Sequence, residues 1–393
     1  MLLGLVGKPS SGKSTFFKAA TMAEVAIASY PFTTIKSNHG IGYVKIDCVD
    51  QEFGVKCNPN HGFCIQDKRF VPVEIMDVAG LVPGASKGKG LGNQFLDDLR
   101  QADVFIHIVD VSGTTDSEGK QTKDHDPSKD VEFLEDELNK WFFNILMKAW
   151  KIFAKKADLE DNFSKAVVKQ FSGLKVTEEH VKDILKESKF PEKAGMWNSE
   201  QLMKFASALR KKSKPVIIVA NKIDLEQSKE NYEKLKKKFP DMIIIPCSAD
   251  SELALREASK AGLIEYVAGE KDFKITGELN EKQKLALEKI KKDVLEKVAG
   301  TGVQAVLNYT VFELLNYLAV FPVDSANKLT DSKGKVLPDC FLLPKGSTAL
   351  DFAYYLHTDF GKNFIKAIDA RTKKILGKEY ELKNRDVLEI VTR

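Results

Sequence analysis

The sequence predicts an α/β protein with a mostly parallel sheet covered by helices on both faces, followed by a smaller domain of strands around one helix. Three observations predict this fold. Short apolar runs alternate with amphipathic stretches up to about residue 265, a helical insertion interrupts them, and from residue 321 the pattern changes to the two-fold alternation of strands. The chain of 393 residues is long enough for two or three domains that each bury a core.

Five short apolar runs have the composition of strands that are buried on both faces. Turn residues bound each run, and the runs cover residues 2–6, 71–76, 104–110, 216–220 and 242–245. We expect them to build one domain over residues 1–265.

A helical insertion is predicted over about residues 113–212, between the third and fourth runs. Apolar residues recur at helical spacing from Val131 to Phe153, and Asn198 with Gln201 forms a capping box before a second apolar stripe. The simplest interpretation is that the stripes pack against the host domain or against each other. An exposed groove for a partner is the alternative.

The rest of the chain divides into a helical connector, residues 266–320, and a final domain, residues 321–393. In the connector the spacing predicts helices over 281–298 and 311–318. In the final domain the pattern predicts strands over 364–368 and 387–391, and a short helix over 349–356 that Ser347 or Thr348 caps.

Composition excludes several classes of protein. There are 60 Lys and Arg against 56 Asp and Glu, so the net charge of +4 indicates no polyanionic partner, and 43% hydrophobic residues exclude a disordered chain. No apolar stretch approaches the roughly 20 residues of a membrane span, and Met1 leads into a strand without a basic leader. Five cysteines are too sparse for a disulfide scaffold. We expect a soluble, cytoplasmic protein.

The first chemical motif lies between the first strand and the first helix. It has the pattern of a phosphate-binding loop, with the residues Gly7, Lys8, Pro9, Ser10, Ser11, Gly12, Lys13, Ser14 and Thr15. The backbone N–H groups of such a loop converge on phosphate oxygens at the amino end of the helix. Lys13 would reach the outer phosphates and Ser14 would ligate Mg²⁺.

Two further motifs follow strands. Asp77 ends the second run, where a carboxylate can support Mg²⁺, and Gly80 lets a backbone N–H approach a terminal phosphate. Asn221, Lys222 and Asp224 follow the fourth run. The Asp224 carboxylate can accept from both N1–H and the N2 amine of guanine, a pair that adenine lacks. Asn221 would tether the loop, and the stem of Lys222 would cover the base.

The fourth element, Ser248 and Ala249, follows the last run and is a weak signal alone. The backbone N–H of Ala249 would meet the guanine carbonyl. An isolated Asp-x-x-Gly is found in many turns, so the order of the four elements carries the prediction. Together they predict a site for GTP or GDP with Mg²⁺.

Two segments beside these motifs resemble a known family. Residues 30–34, Tyr-Pro-Phe-Thr-Thr, with Asn38 and Gly40, and the glycine-rich segment 77–93 resemble the two switches of the Obg family of GTPases. Residues 337–357 resemble a TGS domain, a ubiquitin-like β-grasp module. The whole chain is similar to the YchF-type, Obg-like subfamily, which implies a P-loop NTPase G domain with a TGS domain after it.

The resemblance implies a magnesium-dependent GTPase. Thr34 would be the second hydroxyl ligand of Mg²⁺, with Thr33 as the competing candidate, and the implied metal ligands are Ser14, Thr34 and Asp77. Leu81 stands where other GTPases place the glutamine that orients water, and a leucine side chain cannot form that hydrogen bond. Catalysis would then rest on Lys13, Thr34 and Gly80, and we expect slow turnover without a partner.

Two positions depart from the pattern of the subfamily. YchF-type relatives usually have Glu where this chain has Asp224 and prefer ATP, so we expect GTP to be preferred over ATP. Ser10 stands where potassium-activated relatives have Asn, so the resemblance gives no support for potassium stimulation.

Other interpretations of the function stay open. A scaffold that senses guanine nucleotide, with incidental hydrolysis, is the alternative to an enzyme. A nucleotide kinase is disfavoured because it does not need the loop of Asn221, Lys222 and Asp224, which we call the base loop. A ribosome or RNA partner follows only from the TGS resemblance, because the final domain is almost neutral in charge. His107 lies within an apolar run and is better explained as a core residue than as a base.

Cys57, His61 and Cys64 are candidate zinc ligands within one short segment. They match a zinc site poorly because no fourth ligand follows at a regular spacing, although Cys48 could complete the set. Reduced loop thiols are the simpler interpretation.

Overall fold

The computed structural model describes residues 1–22, 38–78, 100–148, 150, 154, 162–188, 190–191 and 193–393. Within them the central sheet has seven strands, of which five run parallel. The parallel strands are β1 (Leu2–Val6), β4 (Lys68–Asp77), β5 (Val104–Asp110), β6 (Val216–Asn221) and β7 (Ile244–Cys247). Two more, β2 (His39–Asp47) and β3 (Phe63–Ile65), pair antiparallel with β4. The order across the sheet is β2-β4-β1-β5-β6-β7.

The predicted mostly parallel sheet is confirmed, with two differences. The last predicted run lies two residues later in the structure, and β2 and β3 were not predicted. Strand β2 contains Gly40 and Gly42, which weaken its apolar alternation. A Cβ at Gly40 would clash with Phe17 and Thr21 of the first helix, so packing of that helix on the strand requires the glycine.

Helices cover both faces of the sheet because residues of each strand alternate between the faces. On one face, Leu3 and Leu5 pack with Phe16 of helix α1 (Lys13–Thr21). On the other face, Leu2 and Val6 pack with residues of the insertion.

The insertion contains four helices within the described residues. They are α2 (Ser128–Met147), α3 (Phe163–Gln170), α4 (Glu178–Glu187) and α5 (Ser199–Ser213). The predicted stripe of α2 is buried against α5, where Phe142 and Phe205 share one core, and the predicted capping box of Asn198 with Gln201 is present. The interpretation that the stripes pack against each other and the host sheet is therefore confirmed.

After the insertion, one helix precedes β7, the last strand of the central sheet, in the chain, and the other helices follow it. They are α6 (Ser228–Lys238), α7 (Ala249–Lys260), α8 (Glu281–Ile290), α9 (Glu296–Val298) and α10 (Val303–Asn308), with π-helical turns at Lys291–Leu295 and Tyr309–Leu314 and a small hairpin of β8 (Ile264–Glu265) and β9 (Lys274–Ile275). The predicted helix over 311–318 is wrong at its end. Helical structure stops at Leu314, Asn316 has a φ of +52°, and a strand begins at Tyr317.

The final domain is a second sheet with a helix packed on it. Its strands are β10 (Tyr317–Val323), β11 (Phe341–Pro344), β12 (Phe364–Asp369), β13 (Ile375–Leu376) and β14 (Asp386–Thr392), in the order β11-β10-β14-β12-β13. Its helices are α11 (Ala349–Leu356) and α12 (Thr358–Lys362). The predicted strands and helix are confirmed, and Thr348 rather than Ser347 caps α11. This is the predicted β-grasp arrangement.

None of the helices in the described part of the chain combines the length and the apolar composition that a membrane crossing requires.

Candidate nucleotide site

The phosphate-loop residues connect the end of β1 to the start of α1. Gly12 has a φ of +92°, a conformation that strongly favours glycine, and a Cβ there would clash with the side-chain amide of Asn221. No side chain caps the amino end of α1, so the helix presents its first N–H groups to a ligand. This is the local structure that an anion-binding loop requires.

Lys13, the first residue of α1, and Asp77, the last residue of β4, form an ion pair. Asp77 is the last residue of β4 and lies beside Leu5 of the neighbouring β1. Ser14 is exposed in the first turn of α1. A hydroxyl and a carboxylate at one sheet edge form an oxygen donor set that fits Mg²⁺.

Asn221 cross-links the two loops of the site. Its side-chain N–H donates to the carbonyl of Ser11 at 2.9 Å, and its side-chain oxygen accepts from the N–H of Ala249 at 3.1 Å. These are the hydrogen bonds that the predicted tether needs. Because Asn221 is buried, both bonds are shielded from water.

Lys222 forms a second link that the sequence did not predict. Its Nζ donates to the Ser10 carbonyl at 2.9 Å and to Asp110 Oδ2 at 2.7 Å. Asp110 is fully buried at the end of β5, and burial alone would raise its pKa. Hydrogen bonds from Lys222, Ser112 and Thr115 outweigh that effect and hold the pKa of Asp110 below its usual value.

The remaining base-loop residues lie close together at the carboxyl ends of β6 and β7. Asp224 is partly exposed, and within the described residues its carboxylate is not engaged by another side chain. Ser248 is buried and caps α7 through a hydrogen bond from the Ser251 N–H. The Ala249 N–H donates to Asn221, so a guanine carbonyl would have to share this donor.

Lys8 has a different position from the one expected of a phosphate-binding side chain. It is buried, and its Nζ lies 2.8 Å from Asp130 Oδ2 and donates to the Thr115 carbonyl at 2.7 Å. The side chain of Lys8 therefore fastens the loop to the segment after β5. Sequence reasoning missed Asp110 and Asp130, although the position of Asp110 at a strand end was a usable signal.

His107 is buried in β5, as expected of a core residue. Burial, with a smaller contribution from the Lys8 charge, lowers the pKa of His107 to about 3. The imidazole is therefore neutral at physiological pH.

Both predicted switches fall largely outside the described residues. Thr33, Thr34, Gly80 and Leu81 are among the residues outside them, so the assigned roles of these residues stay predictions.

Three family models match the chain. A 50S ribosome-binding GTPase model matches residues 2–146, the model of the Obg-like GTPase YGR210-like, G4 motif-containing domain matches residues 219–325, and a TGS domain model matches residues 326–392. The last match agrees with the β-grasp sheet described above.

Relatives match over the full length. A GTP-binding protein of Methanocaldococcus jannaschii is 49% identical and covers 100% of this chain and 99% of the relative. The crystal structure of a GTP-binding protein from Pyrococcus horikoshii is 39% identical, with a TM-score of 0.79 and 100% coverage of both chains. The ribosome-binding ATPase YchF of Buchnera aphidicola is 29% identical over 93% of this chain and 86% of the relative. The chain belongs to the YchF-type, Obg-like GTPase family and has a carboxyl-terminal TGS domain.

Proposed function

We propose that this protein is a magnesium-dependent GTPase whose nucleotide state is communicated to a ribosomal partner. The observation that carries the proposal is the double contact of Asn221, which joins the phosphate loop to the base loop through Ser11 and Ala249. One rigid unit then holds a phosphate-binding end and a base-reading end. Such a unit suits a nucleoside triphosphate and not inorganic phosphate alone.

At the phosphate end, Lys13 and the uncapped N–H groups of α1 supply positive charge. Asp77 would support Mg²⁺ and Ser14 would ligate it, with Thr34 as the further proposed ligand, and the bound ion neutralises phosphate charge. The Lys13–Asp77 ion pair shows that both groups reach the same place. When a triphosphate binds, we expect the Lys13 ammonium to turn to the outer phosphates.

The hydrolytic step rests on positioning and charge, because Leu81 offers no hydrogen bond to the attacking water. Lys13 would stabilise the charge that develops on the transferred phosphoryl group, and the N–H of Gly80 would add a donor. We therefore propose a slow intrinsic rate that a partner raises by ordering the switches.

At the base end, Asp224 sets the preference between purines. The relative from Buchnera is named an ATPase, so its name gives no support for a preference for GTP. The proposed preference for GTP therefore rests on the residues of this chain. The Asp224 carboxylate is a pure acceptor and pairs with the two donors of guanine, whereas adenine would leave it unpaired. We therefore propose GTP and GDP as the physiological ligands.

Replacement of the carboxylate tests this assignment. Asp224→Asn should weaken GTP binding about 100-fold and improve binding of xanthosine triphosphate, because xanthine has an acceptor where guanine has its N2 amine. Titration of both variants with both nucleotides measures the effect. Asp241→Asn, an exposed carboxylate before β7, is the matched control and should change neither affinity. An unchanged preference in Asp224→Asn would refute the role of this carboxylate.

The ribosomal partner is proposed from the name of the Buchnera relative and the TGS match. Such a partner would place the protein in the cytoplasm. Single-turnover hydrolysis of GTP should accelerate at least about 10-fold when purified ribosomal particles are added. A scaffold that only senses guanine nucleotide would bind GTP with the same preference and show no acceleration.

A further inference from the structure

Four potential metal ligands converge within the nucleotide domain, in the segment from the end of β2 to β3. Cys48 follows β2, Asp50 begins a 3₁₀ turn (Asp50–Phe53), Cys57 lies in the next loop and Cys64 is the central residue of β3. One ligand atom from each residue lies within 4.8 Å of the others. We call these four residues the cysteine cluster.

We propose that the cysteine cluster binds one zinc ion through three thiolates and the Asp50 carboxylate. A tetrahedral site with Zn–S bonds of about 2.3 Å has ligand atoms about 3.8 Å apart. The sulfurs of Cys48 and Cys57 are 3.7 Å apart. The other ligand atoms are near enough for rotamer adjustments to complete the tetrahedron.

The backbone around the cluster is already fixed in the required shape. The Cys48 N–H donates to the Asp67 carbonyl at 2.8 Å, which closes the loop onto the start of β4. Asp50 Oδ2 accepts from the Cys57 N–H at 3.2 Å and Oδ1 accepts from the Gln51 N–H at 2.9 Å. Hydrogen bonds of this kind orient a ligating carboxylate in metal sites. Cys48 and Asp50 are buried, and Cys57 and Cys64 are half-buried.

The charge next to the cluster favours a metal–thiolate centre. Three thiolates and one carboxylate around a divalent ion leave a net charge of about −2. Arg69 is fully buried and is paired with Cys64 in the register of β3 and β4. Its Nε is buried without a hydrogen-bond partner among the described residues. A buried guanidinium at this position would offset part of the negative charge.

The cysteine cluster differs from the zinc set considered in the sequence. His61 is not among the converging ligands, and its Nε2 lies 3.8 Å from Asp339 Oδ1 in the final domain. Asp50 takes the fourth position. A Cys48–Cys57 disulfide would account for two of the three thiols and would leave the convergence of Cys64 and Asp50 unexplained.

A metal at this site would hold the loop on which the final domain rests. The N–H groups of Asn58 and Asn60 donate to the carbonyls of Val336 and Pro338, each at 2.8 Å. Arg69 donates to the carbonyls of Leu337 and Pro338 at 3.1 and 2.8 Å. We call the contact of Asn58, Asn60 and Arg69 with residues 336–338 the seam. The proposed zinc would therefore stabilise the seam between the nucleotide domain and the TGS domain.

Metal analysis of the full-length protein tests this proposal. Protein produced with added zinc and purified without chelators should retain about one zinc per chain after dialysis. Replacement of zinc by Co²⁺ should produce a thiolate-to-cobalt charge-transfer band, a readout that needs no variant and is independent of nucleotide binding. Chelation should lower the midpoint of thermal unfolding.

Variants separate the cluster from adventitious thiol binding. Cys57→Ser should lower the zinc content at least about 10-fold, whereas Cys340→Ser, a buried thiol outside the cluster, should keep it. Asp50→Asn should keep the charge-transfer band and shift the visible cobalt bands. The proposal is overturned if folded wild-type protein retains no zinc and gives no charge-transfer band, or if mass spectrometry finds a Cys48–Cys57 disulfide with Cys64 free.

Discussion

The nucleotide edge of the central sheet and the seam beside β3 are stabilised in different ways. At the nucleotide edge, single side chains at strand ends join loops that are far apart in sequence, as Asn221 joins Ser11 and Ala249. At the seam, an irregular loop supplies backbone donors to the final domain, and the neighbouring start of β4 supplies a buried arginine. The first arrangement follows from where strands end, whereas the second depends on the path of a loop.

The largest effect is expected from the substitution that breaks the nucleotide edge. Gly12→Ala forces an alanine into a φ of +92° and drives its Cβ into Asn221, so both strain and a lost tether contribute. We expect a loss of about 4 kcal/mol in the free energy of unfolding and of about 100-fold in GTP affinity. Denaturant unfolding and nucleotide titration measure these two changes.

Gly54→Ala is the matched control for this substitution. Gly54 also has a positive φ, +64°, but nothing lies within 4 Å of an added Cβ. Strain alone should cost about 1 kcal/mol and leave nucleotide binding unchanged. Equal effects of the two variants would show that the contact with Asn221 is unimportant.

The seam should respond to loss of its buried arginine by an intermediate amount. Arg69→Met removes the charged donors to Leu337 and Pro338. The Leu337 carbonyl loses the Arg69 donor, and the Pro338 carbonyl keeps the hydrogen bond from the Asn60 N–H, so we expect a loss of about 2 kcal/mol. Arg371→Met removes a more exposed ion pair with Glu52 across the same two domains and should change stability by less than about 1 kcal/mol. Equal unfolding midpoints for Arg69→Met and Arg371→Met would show that the stability of the seam does not depend on Arg69.

The smallest effect concerns pH and the core of the nucleotide domain. The pKa of buried His107 is lowered to about 3, so between about pH 6.5 and pH 3 the unfolded chain binds a proton that the folded chain does not. The free energy of unfolding should therefore decrease as the pH falls. His107 should account for a decrease of about 1.4 kcal/mol at about pH 5.5. Urea unfolding at about pH 7 and pH 5.5 should show a smaller pH dependence in His107→Gln.

His180→Gln is the control for this titration. His180 is less buried, and its pKa is lowered by burial and by the Lys212 charge to a smaller extent. Its replacement should change the pH dependence less. A His107→Gln variant with the full wild-type dependence on pH would contradict the assignment.

Some features of the nucleotide edge could be predicted from the sequence, and others could not. Asp77 and Asn221 end strands of one parallel sheet, and the carboxyl ends of such strands share an edge, so the placement of both residues at this edge could be predicted. The link from Lys222 to Asp110 could not be predicted, since it depends on side-chain direction. Lys8 belongs to the phosphate loop in sequence but turns its side chain away from it.

Strand β2 was not predicted, and the cysteine cluster was recognised only in part, since the sequence offered His61 and not Asp50 beside the three cysteines. The glycines of β2 weaken its alternation because they accommodate packing against α1, a tertiary requirement that no local pattern contains. Cys48, Asp50, Cys57 and Cys64 have irregular spacing, and the hairpin of β3 and β4 brings them together. His61 was the misleading signal, since it lies between Cys57 and Cys64 in the sequence but is not among the converging ligands.

Competition between purine nucleotides tests the central proposal most directly. Purified wild-type protein with Mg²⁺ should bind GTP at least about 100-fold more tightly than ATP, because only guanine pairs with both acceptor oxygens of Asp224. GDP should compete with GTP, and ADP should not. Equal affinities for GTP and ATP, or a preference for ATP, would contradict the account.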